Sequence, residues 1–177
     1  MCKLSRIWKS HNIEITTKIK LYKSLITSIA LYGCKSWTLT ADTERRIQSF
    51  EFKCLWRILG ITYKDRKIND YVWQQIKRYN KDISPLLKIV KIKKMKWFGH
   101  TVSHNTLAKT ILQGTVECGR KRGRPKKMWL TNIKEWTDLD LPDLLKRAEQ
   151  RKEWRDFCNL SPSGTPTINR VATNPCL

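Results

Sequence analysis

Ser84-Pro85-Leu86-Leu87-Lys88-Ile89-Val90-Lys91-Ile92-Lys93-Lys94-Met95-Lys96-Trp97-Phe98-Gly99 holds both properties that decide how this chain is read. Its opening is a helix start. Serine offers an N-cap oxygen, and proline suits the first helical position, where its missing N–H is no loss. Leu86, Val90 and Trp97 carry the predicted helix towards Gly99. Lys88, Lys91, Lys93, Lys94 and Lys96 are interleaved with them, and no acidic residue is. The element is apolar and strongly basic at once.

The same pattern extends outwards in both directions. Upstream, Ile15, Ile19, Tyr22, Ile26 and Ile29 step by three and four along one helix face, with Thr16 or Thr17 as cap and Gly33 at the end. A second helix opens near Thr40 with Asp42 and Glu44 in its first turn. It carries Ile47, Phe50, Cys54 and Ile58 on one side and stops at Gly60. A short third follows Asn69 with Val72 and Ile76. Downstream, helices are expected over 106–113, around Trp129, Ile133 and Trp136, and from about Pro142 through Leu145, Ala148 and Trp154. No pair of alternating strands stands out. The predicted class is all-α, a bundle of about six or seven short helices with a basic linker and a disordered C-terminal tail. The expected organisation is a helical region 1–114, a basic linker 115–128, a helical region 129–160 and a tail 161–177.

Charge then sets the function class. The chain has 36 Lys and Arg against 15 Asp and Glu, a formal net charge of +21. Residues 1–130 hold 29 basic and 8 acidic side chains, whereas residues 131–177 hold 7 of each. Between Pro85 and Leu130 there are 12 basic residues and one acid, Glu117. Solvated helix faces usually mix signs; an unopposed excess attracts phosphate backbones and gains from counterion release. The densest run is Gly119-Arg120-Lys121-Arg122-Gly123-Arg124-Pro125-Lys126-Lys127. Its centre, Arg122-Gly123-Arg124-Pro125, is similar to an AT-hook. Glycine without a Cβ lets the backbone lie deep in a narrow minor groove while the arginines extend along its floor. A nuclear-import patch and a flexible basic linker are the other readings of these residues.

Other classes are disfavoured. With 40% hydrophobic residues and eight Trp the chain is expected to fold, and no window approaches a membrane span. No h-region marks a signal peptide at the start. Cys2, Cys34, Cys54, Cys118, Cys158 and Cys176 are too widely spaced for a small disulfide scaffold and read as reduced thiols. His100 and His104 have the i, i+4 spacing of metal ligands, but lack a well-placed fourth partner and read as a solvent-facing or packing pair. No adjacent acidic pair, Ser-His-Asp set, Gly-rich phosphate loop or HExxH occurs. No catalytic residue, metal or cofactor is therefore expected.

Several segments resemble, in order and spacing, the region after the palm of non-LTR (LINE-type) retrotransposon reverse transcriptases. They are Ile19-Lys20-Leu21-Tyr22-Lys23-Ser24 with Ala30-Leu31-Tyr32-Gly33-Cys34-Lys35-Ser36-Trp37, then Phe50-Glu51-Phe52-Lys53-Cys54-Leu55-Trp56-Arg57-Ile58-Leu59-Gly60-Ile61. Met95-Lys96-Trp97-Phe98-Gly99-His100, Gly123-Arg124-Pro125-Lys126-Lys127-Met128-Trp129 and Arg151-Lys152-Glu153-Trp154-Arg155 follow. The resemblance implies a thumb-like and post-thumb portion of an endonuclease–reverse transcriptase. The polymerase Asp-Asp motif and the endonuclease of such proteins lie upstream of it. Lys35 stands where the family usually has Glu, and Gln150 where it usually has Asp, as in a decayed or truncated copy. A thumb grips template–primer by its backbone. The expected contacts are therefore Lys88, Lys91, Lys93, Lys94 and Lys96, with Arg120, Lys121, Arg122, Arg124, Lys126 and Lys127 as a second set. The expected partners are DNA, an RNA–DNA template–primer and the catalytic part of the polymerase, not a membrane. The expected location is nuclear, after cytoplasmic synthesis. A free-standing AT-hook-type DNA-binding protein is the alternative.

Overall fold

The computed structural model describes residues 4–104, 107–113 and 127–160. Arg120, Lys121, Arg122, Arg124, Lys126 and the tail 161–177 lie outside the described residues. Within them every regular element is helical: α1 (Ser5–Lys9), α2 (Ile15–Leu21), α3 (Ser28–Ala30), α4 (Ala41–Leu59), α5 (Asn69–Tyr79), α6 (Leu86–Val102), α7 (Leu107–Gln113), α8 (Trp129–Thr137), α9 (Leu141–Glu149) and α10 (Arg151–Leu160). The all-α expectation is met, with more and shorter segments than the sequence pattern announces.

Local chemistry accounts for the boundaries that the sequence places well. At the start of α4 the Thr43 backbone N–H donates to Thr40 Oγ1 at 3.3 Å, and the Thr40 N–H donates to Thr43 Oγ1 at 2.7 Å. Gly60, at φ +69°, takes the left-handed turn that ends α4, whereas Gly33, at φ +66°, lies three residues past the end of α3 and opens the 3-10 turn Cys34–Ser36. Other boundaries depart from expectation. Neither Thr16 nor Thr17 caps α2, whose N-cap is Glu14 without a side-chain bond. A π-helical turn, Tyr22–Thr27, joins α2 to α3. Its wider turn rotates later positions off the face set by Ile19, Tyr22 and Ile26. Ile29 consequently leaves the core and is 76% exposed.

Ser84 does not cap α6 either. Pro85 occupies the N-cap position, and both oxygens of Glu51, from the middle of α4, accept the Leu86 N–H at 3.0 and 3.2 Å. The predicted helix from Pro142 is also two helices, broken at Gln150. Leu144, Ala148, Trp154 and Cys158 share one stripe on a straight helix, so periodicity alone cannot show the break. Folding back at Gln150 lets both halves pack on α6.

Three cores result. The first joins α1, α2, the π turn, α4 and α5 through Trp8, Ile19, Tyr22, Leu55, Ile58, Val72 and Ile76. The second joins the N-terminal half of α6 (Leu86, Leu87, Val90) to Leu31, Cys34 and Leu39. The third joins the C-terminal half of α6 (Met95, Phe98, Val102) to Ile133, Leu144, Ala148, Trp154 and Cys158. Helix α6 therefore links the region 1–114 to the region 129–160 by packing. Each fully buried Leu, Ile or Phe contributes roughly 1.5–3 kcal/mol. Cys34, Cys54 and Cys158 are free and buried, and burial pushes the Cys54 and Cys158 thiols up to about 11.

Candidate nucleic-acid interface

One turn of an α-helix is 3.6 residues, and that repeat sorts the five lysines of α6. Lys88, Lys93 and Lys96 are exposed, as is His100. The whole of α6 contains no Asp or Glu. Lys91 is half-buried: its Nζ lies 3.7 Å from Glu44 Oε1 and 5.3 Å over the Trp136 ring.

Lys94 is a correction to the expected contact set. It follows Leu87 and Val90 and precedes Phe98 at helical spacing, on the core stripe, and it is fully buried. Its ammonium donates to Trp37 O at 2.8 Å and Asn132 Oδ1 at 2.7 Å, and it lies over the rings of Trp129 (4.6 Å) and Trp136 (5.3 Å). Desolvation, with Lys127 nearby, brings its pKa down to about 8. A phosphate cannot reach this ammonium. The lysine instead closes a buried knot in which Asn132 also accepts the Leu39 N–H at 2.8 Å and donates to Leu39 O at 2.7 Å. The Trp129 indole N–H donates to Lys35 O at 2.8 Å beside it. Periodicity carried the signal for Lys94, since only its place on the stripe separates it from its four neighbours.

Of the second expected set, Lys127 is the one member among the described residues. Its Nζ sits 2.6 Å from Glu135 Oε2, so its charge is partly answered.

Residues that the sequence reading quoted but did not assign to binding complete the surface. Arg151 and Arg155 of α10 face Lys96 and His100 of α6 across an open cleft of about 290 Å³, floored by Gly99, Ala148 and Trp154. An added Cβ at Gly99 would collide with the Trp154 indole, whose N–H donates to Met95 O at 3.0 Å. Arg151 Nη2 lies 3.5 Å from His104 Nε2, and the two imidazoles form an edge-to-face pair at 4.7 Å. The His100–His104 pair thus packs, as the sequence suggests. Among the described residues no group of three His, Cys, Asp or Glu side chains gathers to hold a metal. Both helices present their cleft-lining basic residues at i, i+4, Lys96 with His100 and Arg151 with Arg155, which was the available sequence signal for the cleft.

No family model and no solved structure matches the chain. It is similar to an uncharacterised transposon-derived protein of Caenorhabditis elegans, at 24% identity over 139 residues. The matched stretch takes in 78% of this chain and 42% of that protein, so the chain spans less than half the length of the curated relative it matches. The similarity supports a transposon origin for the chain.

Proposed function

We propose that this chain is a non-catalytic part of a retrotransposon reverse transcriptase that grips template–primer or target DNA. The outer side of α6 and the basic run 120–127 would make the grip. The observation that carries this reading is the exposed charge on the outer side of α6. Lys88, Lys93 and Lys96 stand exposed on a helix with no acidic residue, in a chain of net charge +21. Cations fixed on a packed helix suit phosphate positioning rather than base readout. The ordered motifs favour the polymerase setting, and the transposon-derived relative agrees with it. The partner is nucleic acid rather than a bilayer, and no described helix is long and apolar enough to cross a membrane. The basic run also suits nuclear import after cytoplasmic synthesis.

Equilibrium binding of residues 1–177 to an RNA–DNA hybrid, an A·T-rich duplex and a G·C-rich duplex across a salt series tests the grip. Similar affinities that fall steeply with salt are expected, and no binding to any of them overturns it. The same protein should extend no primer on an RNA template with Mg²⁺ or Mn²⁺. Incorporation above a no-enzyme control overturns the non-catalytic assignment. The Arg122-Gly123-Arg124-Pro125 sequence favours a second reading, a free-standing AT-hook-type DNA-binding protein. A strong A·T preference with weak hybrid binding would select it.

A further inference from the structure

The cleft between α6 and α10 is not explained by the charge of α6 alone. We propose that it is a built site for two successive backbone phosphates of one nucleic-acid strand, held by Lys96 and His100 on one wall and Arg151 and Arg155 on the other. The proposal rests on the nucleic-acid reading above and gives it a location.

Four observations carry it. The first is geometric. Each wall offers its pair at i, i+4, about 6 Å apart along the helix axis at 1.5 Å per residue, so the cleft has two rungs of donors rather than one cluster. The second is electrostatic. No carboxylate is among the residues lining the cleft. Some cations elsewhere do have answering acids, as in Arg46–Asp42 at 2.8 Å, Lys127–Glu135 at 2.6 Å and Lys134–Asp140 at 3.9 Å. Helix α10 does contain Glu153 and Asp156, yet neither lines the cleft. Cations gathered without acids repel one another, and an anion between the walls relieves that repulsion.

The third observation is that the walls are fixed. Gly99 has no Cβ at the point where the Trp154 indole crosses, and the indole N–H is anchored on Met95 O at 3.0 Å. The Ser103 hydroxyl donates to Gly99 O at 2.7 Å and approaches Ala148 O at 3.4 Å, tying α6 to the end of α9 beside the cleft. A chance meeting of surface lysines would need none of this. The fourth is the choice of side chains. Arginine presents a planar fork that matches phosphate oxygens, and Arg151 Nη2 lies 3.5 Å from His104 Nε2 beside the cleft.

The test uses the full chain and a labelled single-stranded oligodeoxynucleotide, then the same strand in an RNA–DNA hybrid. Lys96→Gln with Arg155→Gln is compared with a charge-matched pair outside the cleft, Lys20→Gln with Lys64→Gln. The cleft pair should lose at least tenfold in affinity. Its slope of log affinity against log salt should fall by roughly 1.4 on the single strand and 1.8 on the hybrid, at about 0.7 and 0.9 per contact. The control pair should change the slope by less than half as much. Equal losses for the two pairs, or none for the cleft pair, overturn the site while leaving the nucleic-acid reading intact. A wild-type chain that binds neither probe overturns both. The imidazole proton resonances of the wild-type chain give a reading that needs no variant. Titration with the oligonucleotide should move those of His100 and His104 and leave that of His11 in place. All three moving alike, or none, overturns the proposal.

Discussion

Lys94 occupies a place in the helix stripe where a leucine would be unremarkable. Two oxygens and two indole faces surround its ammonium, yet burial still favours the neutral amine, with Lys127 adding repulsion and Glu135 opposing it. The unfolded chain keeps this proton to about 10.5, and the folded chain releases it near 8. Between those values the unfolded state binds more protons, so this group makes the fold more stable as pH rises. Urea midpoints measured from pH 7 to 10.5 should show that gain in the wild type and lose it in Lys94→Met. A difference between the two proteins that stays constant over the range would falsify the assignment. Gly99 makes a second residue-scale prediction with an unusual sign. Alanine normally improves a helix interior by about 1 kcal/mol over glycine. Here its Cβ would meet the Trp154 indole, and overpacking of that kind costs roughly 1–3 kcal/mol. Gly99→Ala should therefore lower the thermal midpoint, and the loss should shrink in a Trp154→Phe background. Neither residue's role can be read locally. A lysine among lysines and a glycine before a histidine look like surface and helix end until the partner helix is in place.

At the scale of the element, α6 owes its first turn to a residue 35 positions upstream. Glu51 accepts the Leu86 N–H from inside the molecule, and burial pushes its carboxyl up to about 7 despite that hydrogen bond. The folded pKa lies above the ordinary 4.5, so the stability linked to this proton is fully present below 4.5 and is lost as pH rises through 7. Glu51→Gln should flatten the unfolding midpoint across pH 4.5–7.5, whereas Glu51→Ala should cost about 1–3 kcal/mol at any pH by leaving a buried N–H unpaired. Chemical denaturation at several pH values checks both. Helix ends governed by their own residues, such as Thr40 and Gly60, were legible in the sequence because a cap is a local object. The π turn, the Glu51 cap and the break at Gln150 were not, because each answers to packing against a distant segment. The quoted motifs now have a physical link. Residues 35–39, 94–98, 129–132 and 154 meet around the Lys94 knot and its adjoining core, which ties their spacing to one another.

The whole molecule shows what charge could and could not say. Composition pointed to phosphate as the partner, but a sum over side chains weighs Lys94 like Lys96, although one is sealed in and the other lines the cleft. It also passed over Arg151 and Arg155, which lie in a stretch that is neutral overall. The run 120–127 keeps its own prediction. Replacing Arg122 and Arg124 by Ala should weaken binding alike on A·T-rich and G·C-rich duplexes, and should lower the salt slope by about 2, at roughly 0.9 per contact. A loss concentrated on A·T-rich DNA would place these arginines in the minor groove instead. Unchanged affinity and slope on every duplex would remove them from the contact surface.

The sharing of α6 has a consequence for connectivity. The halves of this molecule on either side of residues 114–126 are joined by interdigitated side chains: the amide of Asn132 clasps Leu39, the indole of Trp129 clasps Lys35, and Trp154 fills the notch at Gly99. Two separately synthesised polypeptides, 1–113 and 127–177, should therefore associate when mixed, and co-elution in size-exclusion chromatography checks it.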